Sequence, residues 1–294
     1  MKIALCNGGL GNQVFQYIFS RYIELMSGEA CYLDDSAFWG EKVEHNGFEI
    51  PKVFLNAKPR LLSSFFTEDV WEYMLEQRRN GKSICQQIAD MGEEIVMMAE
   101  TRDYKFSGKV ISVPVNTFQP ILARCEGNIY YHGYWITGEW LKSDCYEVIK
   151  KELEFAPLTE ERNLRYAEKM KSCCSVSLHI RRGDFVRLNR SESPEEYKKV
   201  VAYAESILRD AEYFVFSDDL KWCRENMSDL GLDVVADRVH FVEGNTGETS
   251  FRDMQLMTSC GVNILLGSSS FSYLAVLLNN NPDKMTINAT TRKI

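Results

Sequence analysis

Between residues 173 and 279 the hydrophobic positions switch period in a regular way. Val176, Leu178 and Ile180 alternate with small or polar residues, which is the period of a strand. Ser193-Pro-Glu-Glu196 then joins a capping hydroxyl, a proline at the first helical position and acids in the first turn, predicting a helix to about residue 209. Strands at 213–216, 239–242 and 262–266 are followed in the same way by helices at 219–227, 250–259 and 271–279. Strands alternating with helices predict parallel βαβ units with right-handed crossovers, a doubly wound α/β domain.

The amino-terminal half opens similarly. Residues 3–6 read as a short buried strand, followed by Gly8, Gly9 and Gly11. Val14, Phe15, Ile18, Phe19, Tyr22, Ile23 and Met26 recur at helical spacing up to Gly28. Residues 31–35, Cys-Tyr-Leu-Asp-Asp, read as a second strand ending in acids. Beyond them the pattern weakens: residues 71–75 and 84–99 carry helical patches and residues 110–115 look extended. His45, among polar residues, is expected in an exposed loop. The aromatic run from Ile129 to Trp140 reads either as core or as a face for the C–H groups of a sugar. Pro157-Leu-Thr-Glu-Glu-Arg162 predicts a helix capped by Thr159. The domain boundary is placed there, giving domains 1–157 and 158–294. The expected architecture is α/β, two Rossmann-like doubly wound domains facing each other across a cleft.

At 294 residues, 45% hydrophobic and 26% charged, the chain has the make-up of a soluble protein with room for two cores. A formal net charge of −8 argues against a nucleic-acid partner. A local basic pair in so acidic a protein points instead to a small anionic ligand. Nine cysteines, an odd number without C-x-x-C spacing, argue against a disulfide framework and a zinc site, so buried reduced thiols are expected. With no signal region and no apolar run of membrane-spanning length, a cytoplasmic location without an integral membrane segment is expected.

Three strand ends carry the candidate chemistry. Arg181 and Arg182 follow the strand of Val176–Ile180, Ser217-Asp218-Asp219 ends the next, and Gly267-Ser-Ser-Ser270 the last. Ligands of open parallel sheets bind beyond the carboxyl ends of the strands, and two planar guanidiniums suit a diphosphate. The alternative is a salt-bridged strand end in which arginine pairs with Asp184. A Gly/Ser loop entering a helix offers amides, hydroxyls and a dipole to an anion. Ser270, Asp218 and Asp219 read equally as helix caps, and Asp253 with Ser250 as a capping box. Gly9-Leu-Gly11, with acids about 20 residues on, is a partial dinucleotide fingerprint, although Val14 stands at its third glycine. It keeps open an NAD(P)-dependent oxidoreductase. No D-x-D occurs to hold a metal.

His179-Ile-Arg181-Arg182-Gly-Asp184 resembles the H-x-R-R-x-D signature of α-1,2-, α-1,6- and protein O-fucosyltransferases. Taken with Gly8-Gly-Leu-Gly-Asn-Gln-Val-Phe-Gln-Tyr17, Phe216-Ser-Asp-Asp-Leu-Lys-Trp222, and Asp253-Met-Gln-Leu-Met257 running on to Gly267-Ser-Ser-Ser-Phe-Ser272, the set is similar to glycosyltransferase family 11, the α-1,2-fucosyltransferases. The resemblance spans residues 8–279. It implies the GT-B arrangement, with an amino-terminal acceptor-side domain and a carboxyl-terminal domain for GDP-fucose. It also implies inverting transfer of fucose from GDP-fucose, a substrate and not a cofactor, to the 2-hydroxyl of a terminal galactose in an oligosaccharide; without a D-x-D, no metal is expected to meet the leaving diphosphate. Animal relatives carry a membrane anchor, so a bacterial cytoplasmic enzyme is expected. Nucleotide-sugar contacts fall by resemblance on His179, Arg181, Arg182, Ser217, Asp218, Asp253, Ser269, Ser270 and Phe271, with Gly9, Gly11 and Asn12 in the first loop. Arg182 is expected to act in catalysis by meeting the charge on the leaving diphosphate. Asp184 is expected there too, as base or as holder of the arginines. Where the family has S-T-F-S-W-W, this chain has Ser269-Ser-Phe-Ser-Tyr-Leu274, and its tail lacks the family's tryptophan. A catalytically weak nucleotide-sugar-binding homologue is the remaining rival.

Overall fold

A computed structural model describes residues 1–40, 43, 45–116 and 118–290; the last four residues of the tail lie outside the described residues. The chain forms two compact units, Met1–Ala156 and a second beginning at Pro157.

The first unit is built on five parallel strands: β1 (Lys2–Leu5), β2 (Cys31–Asp34), β3 (Ile95–Ala99), β4 (Val110–Ser112) and β5 (Asn128–His132), in the order β2-β1-β5-β3-β4. The helix Leu10–Ser27 joins β1 to β2 and buries Val14, Phe15, Ile18 and Phe19 completely. It ends where Gly28 takes φ 74 and donates its N–H to the Glu24 carbonyl, the left-handed turn that glycine allows. The aromatic run after β5 resolves as core at its tryptophans. Trp135 and Trp140 are buried, and Phe19 stacks on Trp135 with centroids 3.8 Å apart.

Residues 84–99 are not one helical patch. The helix Ile84–Asp90 stops, Gly92 turns at φ 95, and Ile95–Ala99 is strand β3 between β5 and β4. A strand covered on both faces is apolar throughout, so its period is erased. Nor does Thr159 cap the next helix, Glu161–Lys171. Glu160 stands at the cap position without a side-chain bond to the helix, and the Thr159 N–H donates to the Glu160 carboxylate.

Glu100, buried just past β3, ties three segments together. Its carboxylate accepts backbone N–H bonds from Asn116, Tyr134 (2.8 Å) and Trp135 (2.9 Å). Asn116 and Trp135 both sit at φ 56, a region unfavourable to non-glycine residues. Burial raises the Glu100 pKa, and the three N–H donors oppose the rise.

The second unit has five parallel strands: β6 (Cys174–Ile180), β7 (Ala211–Ser217), β8 (Val239–Phe241), β9 (Val262–Leu265) and β10 (Met285–Asn288), in the order β10-β9-β6-β7-β8. The first of these is central: the chain winds out through β7 and β8, then returns to the other side of β6. That reversal opens a crevice between the carboxyl ends of β6 and β9. Val176, Leu178, Tyr213, Val215, Val262 and Ile264 belong to one buried cluster under the sheet. Ser193 caps the helix Pro194–Ile207 as its capping box predicts, its Oγ accepting from the Glu196 N–H. Buried Asn263 donates to Ser177 Oγ (2.7 Å) and accepts from Asn279 (2.7 Å), so this polar bracket in the core is satisfied.

All nine cysteines are free thiols, six of them buried. Among the described residues no helix is long and apolar enough to cross a membrane. Glu100→Ala would leave three backbone donors without their acceptor, and we expect it to cost about 3 kcal/mol in urea unfolding. Glu100→Gln keeps one acceptor oxygen and should recover part of the loss; an alanine variant within about 0.5 kcal/mol of wild type would show that the three bonds do not hold the fold.

Candidate functional site

Apart from Asp253, the candidate site residues of the second unit belong to the ends of β6 and β7 and the turn after β9. β6 and β7 pair in register through Ile180 and Ser217, so the residues just beyond them, Arg181, Arg182, Asp218 and Asp219, emerge side by side. Asp218 Oδ1 accepts the backbone N–H of Arg182 (2.8 Å), and Asp218 Oδ2 pairs with Arg181 Nη1 (3.0 Å). A Cβ on Gly183 would lie 2.6 Å from Asp218 Oδ2, so a side chain here would push the carboxylate off its present position.

The two arginines are held differently. Arg181 also donates from Nη2 to Asp184 Oδ1 (2.7 Å), so both of its terminal nitrogens are committed to carboxylates. Arg182 contacts Asp219 Oδ2 only through Nε, at 3.4 Å, and its Cζ lies 3.5 Å from the centre of the Trp222 ring. Its terminal nitrogens have no acceptor among the described residues. Four N–H bonds of a fixed guanidinium therefore remain available. Of the two readings of this strand end, Arg181 fits the salt bridge and Arg182 fits the anion site.

Asp219 caps the helix Leu220–Glu225, accepting the Trp222 N–H at 3.1 Å, and its own N–H donates to Ser217 Oγ (3.0 Å). His179, the penultimate residue of β6, stacks across the crevice on Phe271, with ring centroids 5.5 Å apart. Burial, reinforced by Arg181, pushes its pKa down to about 3, so the imidazole is neutral at pH 7. Gly267 turns at φ 78, and the helix Ser270–Leu278 follows. Ser269, not Ser270, holds the cap position of that helix, with no side-chain cap bond; Ser270 is its first helical residue. Tyr273 and Leu274, which depart from the family pattern, are both buried in the core.

Asp253 stands in the helix Phe251–Met257 and shares no bond with the arginines among the described residues. Its Oδ1 accepts from Asn245 Nδ2 (2.8 Å), and Asn245 exchanges two amide bonds with buried Asn163 (2.9 and 3.1 Å). Asn163 and Asn245, with Arg162 and Gly244, line a cavity of about 330 Å³. Burial drives the Asp253 pKa up to about 7, against the pull of the Asn245 amide. The expected capping box is not formed: Ser250 is itself helical, at φ −58 and ψ −24, and makes no side-chain cap bond.

Gly9, Gly11 and Asn12 belong to the first unit. Gly9 caps the helix Leu10–Ser27 through its carbonyl, which accepts from Asn12 (2.9 Å) and Gln13 (3.1 Å). Gly11 is buried within that helix, and the third fingerprint position is filled by fully buried Val14. Exposed His45 comes up against Gly9, whose added Cβ would lie 3.5 Å from the His45 ring. Among the described residues no three His, Cys, Asp or Glu side chains are grouped to hold a metal ion. Sequence reasoning missed Asn163 and Asn245, which carry no local signal, and the stacking of Trp222, three residues after Asp219.

Residues 109–293 match the family model for glycosyl transferase family 11. The chain belongs to that family. It is 25% identical to the α-1,2-colitosyltransferase of Escherichia coli, across 98% of this chain and 91% of that one. It is 29% identical over 119 residues to the O-antigen biosynthesis glycosyltransferase WbnK of Escherichia coli, covering 38% and 37% of the two chains. Among solved structures, the fucosyltransferase NodZ from Bradyrhizobium shares the fold, with a TM-score of 0.51 at 13% identity over 94% of this chain and 92% of that one. Membership of glycosyl transferase family 11 does not favour the oxidoreductase reading of Gly9 and Gly11.

The pKa of Asp253 in this glycosyltransferase gives a signed prediction. Near 7 when folded against about 3.9 unfolded, its protonated form is the one the fold prefers. Its contribution to stability is complete below pH 4 and is lost as pH rises through 7. Asp253→Asn removes that loss, so its unfolding free energy relative to wild type should rise between pH 5 and pH 8 by up to about 2 kcal/mol. The same difference at both pH values would show that the buried carboxylate is not under strain.

Proposed function

We propose that this glycosyltransferase moves fucose from GDP-fucose, with inversion and without a metal ion, to the 2-hydroxyl of a terminal galactose in a glycan. The observation that carries the reading is the state of Arg182: a positioned guanidinium whose outer edge is uncommitted, at the carboxyl end of the central strand. Sugar transfer passes through an oxocarbenium-like state while negative charge grows on the departing diphosphate. A guanidinium aimed at that charge lowers the barrier because the interaction strengthens as the bond breaks. In this reading the Ser269–Ser270 turn lies along the phosphates, and His179, Phe271 and Asp253 serve the nucleoside. Neutral His179 can donate to or accept from a hydroxyl without adding charge. Asp184, whose carboxylate is committed to Arg181, is a positioning residue.

A second reading of the transferred sugar comes from the E. coli relative named as an α-1,2-colitosyltransferase. Colitose is fucose without its 3-hydroxyl, and the α-1,2 linkage is common to both readings.

The test is an acceptor array supplied with GDP-fucose or GDP-colitose, followed by NMR assignment of the product linkage. Fucosyl transfer in an α-1,2 linkage to galactose is expected. Preference for GDP-colitose would replace the donor, and an α-1,3 or α-1,6 linkage would overturn the regiochemistry. Turnover should persist in excess EDTA. Arg182→Ala should lower kcat by about two to three orders of magnitude, and Arg182→Lys, which loses the planar fork, should recover little of it. A folded alanine variant with near-normal turnover, or loss of activity in EDTA restored by Mn²⁺, would overturn the role given to Arg182.

A further inference from the structure

Resting on the reading of Arg182 just given, we infer that Trp222 is a positioning residue that holds the Arg182 guanidinium in place for the diphosphate. Arg182 Cζ lies 3.5 Å from the centre of the indole ring, at van der Waals contact with its face. The only other side-chain restraint on the guanidinium among the described residues is the 3.4 Å contact of Nε with Asp219. That distance is too long to fix a side chain with this many rotatable bonds. The indole face supplies what is missing. It attracts the cation through its quadrupole, occupies one side of the group, and takes none of its N–H bonds. A carboxylate in the same place would hold the cation as well, but would consume the donors that the diphosphate needs. Arg181 is in that situation.

The helix supports the assignment. Asp219 accepts the Trp222 backbone N–H (3.1 Å) with one oxygen and faces Arg182 Nε with the other. The carboxylate that starts the Trp222 helix therefore lies beside Arg182, which brings ring and guanidinium to one place. Trp222 also packs against the core of its unit, so its ring is anchored from behind.

Trp222→Leu keeps an apolar side chain but removes the aromatic face; Trp222→Phe and Trp222→Tyr keep a face. With folding checked by thermal melts, the leucine variant should lose about tenfold in kcat with the acceptor KM unchanged, and the aromatic variants should stay within about threefold of wild type. The same substitution is then made on an Arg182→Ala background and measured by single-turnover kinetics at high enzyme concentration. There Trp222→Leu should cost nothing further, because the group it positions is gone. Three outcomes separate the claims. An equal loss in both backgrounds, or a leucine variant as active as the phenylalanine one, overturns the role of Trp222 and leaves Arg182 untouched. Near-normal turnover of Arg182→Ala overturns the reading of Arg182 itself.

Discussion

Asp218 is the residue on which the carboxyl edge of the second sheet depends. Where β6 ends, the Arg182 N–H has no neighbouring strand to bond, and an unpaired backbone donor there would be costly. Asp218 accepts it with one oxygen and takes Arg181 with the other. This is possible only because β6 and β7 are paired in the register His179 to Phe216 and Ile180 to Ser217. A slip of one residue would turn Asp218 to the opposite face and leave both arginines without it. The close approach also bears on the next residue, since a side chain at position 183 would displace the carboxylate from Arg181 and the Arg182 N–H. Register, acid and glycine therefore form one constraint.

Much of the fold was legible where local period and tertiary environment agree. The helix Leu10–Ser27 shows a clear 3.6-residue stripe up to Gly28, and β6 alternates cleanly. Legibility failed where they disagree. β3 is covered on both faces and so lost its alternation, and it was absorbed into the helix before it. β10 went unread because it lies at the sheet edge, with Ile287 its one buried residue in a polar stretch. The placement of β5 between β1 and β3 is a non-local pairing that no window of sequence reports.

The site was legible in composition but not in allocation. The residues that follow β6, β7 and β9 do lie at one sheet edge, while Asp253 and the first-loop glycines do not, and nothing in Arg181-Arg182 says which guanidinium is committed. That depends on which carboxylate each strand end delivers, hence on register. The spacing of Ser250 and Asp253 has the form of a capping box, but the preceding turn, Gly247–Thr249, already draws Ser250 into helical geometry. Freed from capping, Asp253 is hydrogen-bonded by Asn245, a residue in a loop with no periodicity to reveal it.

Charge counting at this edge leads to a further constraint. Two guanidiniums face three carboxylates, those of Asp184, Asp218 and Asp219, and His179 is neutral, so the formal balance is −1. An anion is therefore not drawn here by net charge, and the protein as a whole, at −8, does not help. What the edge offers instead is direction: uncommitted N–H groups on Arg182 held against a ring that carries no formal charge. Directed donors discriminate between a diphosphate with oxygens at the right spacing and any other anion, which a diffuse positive patch does not. They also act most strongly where charge is growing, because they need not reorganise as it grows. An edge built this way trades general attraction for orientation. That fits the proposed transfer, in which the ligand leaves as a diphosphate after each turnover.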